Sequence, residues 1–86
     1  MASIQEVVNA AYRIRQSAIS AQTRTTTCAD ALKSQASQLA AAVRGSRTGE
    51  DAVRQVQQAE RTVRESAVRL LTLQSTIDWF IQDLTK

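Results

Sequence analysis

The sequence predicts an all-α protein: an antiparallel two-helix hairpin of the coiled-coil kind, assembling as a dimeric four-helix bundle. Three observations predict it. Apolar and small residues recur in alternating steps of three and four along both halves of the chain. Proline is absent, and both glycines, Gly45 and Gly49, lie in one short segment near the middle. Apolar residues fill 43% of the 86 positions but aromatic ones only 3%, a balance that suits long helices rather than sheets with tight turns. One domain over 1–86 follows, with helix 1 over about 4–44, a turn at 45–49 and helix 2 over about 50–85.

Helix 1 opens at Ser3, whose hydroxyl stands three residues before Glu6 in the capping-box pattern. From there the repeat runs through Ile4, Val7, Ala11, Ile14, Ala18, Ala21, Thr25, Cys28, Leu32, Gln35, Leu39 and Ala42. Val8, Tyr12, Ile19, Ala29, Ala36 and Val43 fall on its flank. The segment Thr23-Arg24-Thr25-Thr26-Thr27 has low helix propensity, because β-branched residues lose side-chain freedom in a helix. The repeat crosses it in phase, so one continuous helix is expected rather than a three-helix bundle.

The turn is read at Arg44-Gly45-Ser46-Arg47-Thr48-Gly49, where Gly45 can take the left-handed conformation and Thr48 can cap the next helix. Glu50 and Asp51 then stand at its positive end. Helix 2 repeats through Val53, Val56, Glu60, Val63, Ala67, Leu70, Gln74, Ile77, Ile81 and Leu84, with Ala52, Ala59, Leu73 and Phe80 on its flank. Pairing residues whose numbers total 95 sets Leu39 against Val56, Leu32 against Val63, Ala18 against Ile77 and Ala11 against Leu84. The same register places Cys28 on Ala67 and sets Gln35 opposite Glu60 as a polar layer.

A single hairpin buries little, while ordering a chain of this kind costs roughly 1.5 kcal/mol per residue. The apolar flanks therefore call for a partner, either a second copy or a similar hairpin, with Tyr12, Ile19, Leu73, Trp79 and Phe80 as the contact residues. Ion pairs four residues apart, Glu50 with Arg54, Glu60 with Arg64, Arg61 with Glu65 and Glu65 with Arg69, account for a solvated outer face on helix 2.

Chemistry is constrained as strongly as shape. Histidine is absent and Cys28 is the lone cysteine, which removes the usual zinc sets, the Ser-His-Asp and Cys-His arrangements and an internal disulfide. No catalytic residues, cofactor or metal are expected, and the chain reads as a non-enzyme. Cys28 is read as packing on the helix seam. Eleven basic against eight acidic residues leave +3, all of it in the first half, so nucleic-acid binding through Arg13, Arg15, Arg24 and Arg44 is the alternative function. No run approaches a membrane span, and the start lacks the pattern of a signal peptide. The expected location is the cytoplasm, or outside the cell by a route without a cleaved signal.

The segment Asp78-Trp79-Phe80-Ile81-Gln82-Asp83-Leu84 carries two of the three aromatic residues. A short hairpin with an aromatic residue followed four positions later by an acid, here Trp79 and Asp83, resembles the ESX-type (Trp-x-Gly) substrates of type VII secretion. Where that family places Trp-x-Gly in the turn, this turn has no Trp, and where its export signal has Tyr, this chain has Trp79. The Ala- and Arg-rich style also resembles small helical proteins of actinobacteria. The resemblance implies a hairpin that pairs with a similar protein and uses Trp79 and Asp83 as a secretion-signal-like element.

Overall fold

A computed structural model describes residues 2–86. Two helices account for nearly all of them: α1 (Ile4–Ala42) and α2 (Arg47–Leu84), packed side by side as an antiparallel hairpin. The Ser3 hydroxyl accepts the Glu6 N–H at 3.1 Å and starts α1 where the capping pattern places it. Through the Thr run the helix continues unbroken. Thr23, Thr25 and Thr27 donate their hydroxyls to the carbonyls of Ile19, Ala21 and Thr23 at 3.1, 2.6 and 3.0 Å, so each hydroxyl is satisfied within the helix itself.

The turn is tighter than the sequence suggests. α1 ends two residues before 44, and α2 begins at Arg47 rather than at 50, capped by Ser46 and not by Thr48. Gly45 adopts φ +83°, which reverses the chain at once. Ser46 is then the first extended residue with a hydroxyl, and that oxygen accepts the Gly49 N–H at 3.1 Å. The Glu50 carboxylate reaches back to the Gly45 N–H at 3.4 Å. Gly49 brings the first turn of α2 directly onto Val43: a Cβ at 49 would stand 2.5 Å from the Val43 Cβ.

Val43, the C-cap of α1, is half-buried there and continues the row of α1 that faces α2. Ala11, Ala18, Thr25, Leu32 and Leu39 occupy the seam as read from the sequence, all buried or half-buried. The companion row is displaced by one residue. It consists of Val8, Arg15, Gln22, Ala29, Ala36 and Val43, whereas Ile14, Cys28, Gln35 and Ala42 are exposed. Counting apolar residues disfavours the observed row because of Arg15 and Gln22. In the structure Arg15 reaches Asp78 at the seam's edge and Gln22 donates to Thr26, so neither polar head is stranded. The layers of Ile14 on Ile81, Cys28 on Ala67 and Gln35 opposite Glu60 are therefore not formed.

On α2 the seam residues from Val53 to Leu84 are all buried or half-buried, in agreement with the repeat. Cross-helix bridges join Arg15 to Asp78 and Asp30 to Arg64, numbers that total 93 and 94, close to the 95 read from the sequence. Five of the eight buried apolar residues are alanines, so the backbones approach closely over a thin interior. Larger side chains gather at the open end, where Val8, Ala11 and Ile81 pack with Ile77 and Leu84. The result is a rod of 63 × 20 × 14 Å with a radius of gyration of 19.2 Å, against about 12 Å for a globular chain of this length.

Substitution of Gly49 tests the turn. Alanine ordinarily favours a helix over glycine by about 1 kcal/mol, but here Gly49→Ala lowers the urea midpoint because its methyl meets Val43. In a Val43→Ala background the same substitution raises the midpoint. Stabilisation by Gly49→Ala in the unaltered chain would refute the close approach. Gly45→Ala costs about 1–2 kcal/mol, the penalty for a left-handed residue with a Cβ.

Candidate interaction faces

Two broad sides flank the seam, and their chemistry differs. On one side, Arg15 Nε donates to Asp78 at 2.6 Å, and Arg64 donates to Asp30 at 3.1 Å and to Glu60 at 2.6 Å. Glu60 sits on the seam row with only 14% of its side chain exposed, and Arg64 reaches over to neutralise it. The hydrogen bonds to Glu60, then to Asp30, hold the Arg64 guanidinium above its ordinary pKa. The guanidinium therefore stays charged throughout the neutral range and loses its proton only at strongly alkaline pH. Among the other i,i+4 pairs read on α2, Arg54 bonds Asp51 instead of Glu50, and Arg61 bonds Gln58 instead of Glu65.

The opposite side is poor in charge. An open groove of about 500 Å³ runs between the helices there, lined by Ala10, Ile14, Ser17, Ala18 and Ala21 from α1 and by Leu70 and Leu73 from α2, with Arg13 at its rim. Ile14 is 49% exposed, and Phe80, two helical turns beyond Leu73 on the same stripe of α2, is 43% exposed. The groove exists because α1 is rotated by one row. Ile14 and Ala21, read from the sequence as seam residues, flank the seam instead.

Of the contact residues expected from the sequence, the structure brings Leu73 and Phe80 onto one stripe. Tyr12 and Ile19 lie across the seam from them, one turn on either side of Arg15. Trp79 is 69% exposed on the outermost line of α2 and belongs to neither side. Asp83 stands one turn beyond it and bonds Lys86 at 3.4 Å. Val68 and Leu71, one helical turn apart, are also exposed and lie off the rows that the α2 repeat assigns to seam and flank.

The four arginines of the nucleic-acid alternative do not converge. Arg15 is held by Asp78, Arg13 borders the groove, Arg24 bonds Ser20 at 3.5 Å and Arg44 lies at the turn. Cys28 is exposed, contrary to its expected place in the seam. Among the described residues no cluster of three potential metal ligands occurs, and no helix is long and apolar enough to cross a membrane. Compared with protein-family models, curated proteins and solved structures, the chain gives no match.

The seam carboxylate offers a test of the charged side. Arg64 is half exposed and keeps Asp30 as a partner, so removing the nearly buried Glu60 carboxylate leaves no buried unpaired charge, while an apolar residue in its place gains burial. Glu60→Leu is therefore expected to raise the thermal midpoint by on the order of 4–8 °C, the shift that about 1 kcal/mol produces in a chain of this size. A lowered midpoint in circular dichroism would show instead that Glu60 and Arg64 hold the seam together.

Proposed function

We propose that this protein is a non-enzymatic helical interaction module that self-associates, or pairs with a similar hairpin, through its charge-poor side. The observation that carries the reading is the open apolar groove bordered by Ile14 and Leu73, with Phe80 on the same stripe. Apolar side chains so grouped are unfavourable in water and favour a partner that covers them. Surface area supports it independently. The chain exposes 6410 Å², whereas a compact monomer of 9.4 kDa exposes about 5,000 Å². The difference, about 1,400 Å² for one chain, exceeds the roughly 800 Å² that a standard interface removes from each partner.

A secretion-linked use of this module, of the kind that the ESX-type resemblance implies, is supported by one feature. Trp79 stands 69% exposed on the outermost line of α2, away from the groove, where a second protein can reach it while the groove is occupied. Nucleic-acid binding draws less support, since one of its four arginines is already committed to Asp78.

Sedimentation velocity over a concentration series tests the reading: the chain is expected to form dimers or larger assemblies. Leu73→Asp should shift it to monomer at concentrations where the unaltered chain is associated. Trp79→Ala should leave association unchanged. An unaltered chain that stays monomeric into the high micromolar range and captures no similar hairpin would remove the proposal.

A further inference from the structure

On α2 the charge-poor side presents Arg69, Leu73, Thr76, Phe80 and Asp83, spaced by four, three, four and three residues along one stripe. Its order is basic, apolar, small polar, apolar, acidic. Reversed about Thr76, the stripe keeps its apolar positions and exchanges its charges. Arg69 has no ion-pair partner among the described residues, and Asp83 has only the exposed Lys86 at 3.4 Å. The register that joins Arg15 to Asp78 sets Ile14 of α1 level with Phe80, and Ala21 level with Leu73. A large side chain and a small one thus lie about equally far on either side of the Thr76 level.

We infer that the occupant of this side is a second copy of the chain, laid antiparallel across a two-fold axis at the level of Thr76. The inference rests on the self-association proposed above and specifies its geometry. An axis lying in the contact plane and crossing the rods places α2 against α2 and α1 against α1. Arg69 then meets Asp83 of the other copy, twice over by symmetry, and Leu73 packs on the second copy's Phe80. Ile14 fills the space above the second copy's Ala21. A parallel arrangement would instead bring Arg24 and Arg69, which lie at one level, against the same two arginines of the other copy. Like charges at such a contact oppose it. Antiparallel pairing therefore satisfies both the charges and the volumes, and the two turns project from opposite ends of the four-helix bundle.

A residue on a two-fold axis faces its own copy, which makes Thr76 a direct probe. In a Cys28→Ala background, Thr76→Cys is expected to give a covalent dimer on mild oxidation. Gln55→Cys, on the same stripe but 21 positions away, should give none, because its copies stand ~60 Å apart in this arrangement. Arg69→Asp and Asp83→Arg should each weaken association at least threefold at low salt, with helicity retained. The double variant Arg69→Asp/Asp83→Arg should return it to within twofold of the unaltered chain. An associating protein whose Thr76→Cys variant does not cross-link, or whose charge reversals neither weaken nor rescue, overturns this geometry and leaves self-association standing. A chain that is monomeric at every concentration overturns both, and equal cross-linking at Gln55→Cys overturns the two-fold.

Discussion

The close approach of Val43 to Gly49 is the steric constraint at the turn with which the rotation of the first helix must agree. Only a residue without a Cβ lets α2 start directly against the Val43 side chain, and an inward Val43 carries Ala36, Ala29, Arg15 and Val8 into the seam with it, in steps of one heptad. Gly45 makes this possible by reversing the chain through a left-handed conformation that other residues adopt only with strain. A helix of 39 residues is stiff enough to transmit that orientation from the turn to the open end. Ile14, some 30 residues from Val43 in sequence, is thereby placed outside the seam.

The rotation separates the surface into two sides with different tasks. On one, Arg15, Asp78, Asp30, Glu60 and Arg64 tie the helices together across the seam and fix their register. Such pairs are partly exposed and contribute little stability individually, but a slipped register would separate Arg15 from Asp78 and Asp30 from Arg64, whereas Glu60 keeps Arg64 of its own helix. On the other, no cross-helix ion pair forms among the described residues, and the side chains between the helices are small or aliphatic. Small residues on α1 facing larger ones on α2 leave a channel rather than a filled interface. A thin, alanine-lined interior gains limited burial, so the fold and the proposed association draw on the same apolar surface.

Much of the candidate face was legible in the sequence in pieces. Leu73 and Phe80 could be assigned to a flank because the α2 repeat admits one choice of seam, with Val56, Val63, Leu70, Ile77 and Leu84 in one row. Ile14 could not. On α1 two rows compete beside Ala11, Ala18 and Leu32, and the one with more apolar members is the wrong one, since Arg15 and Gln22 find polar partners only once α2 and the next helical turn are in place. Cys28 and Gln35 were misplaced for the same reason.

The sequence by itself determined that the chain is helical, that it reverses once at its glycines, and which row of α2 faces inward, because propensity, capping and heptad spacing are local properties. It also determined that the Thr run continues the helix, since each hydroxyl can be satisfied four residues back in the same strand of backbone. Tertiary structure alone decided the rotation of α1 about its axis and hence which residues form the groove. That choice must agree with a steric contact across the turn and with ion pairs between residues more than 30 positions apart, and no pattern within either helix encodes it.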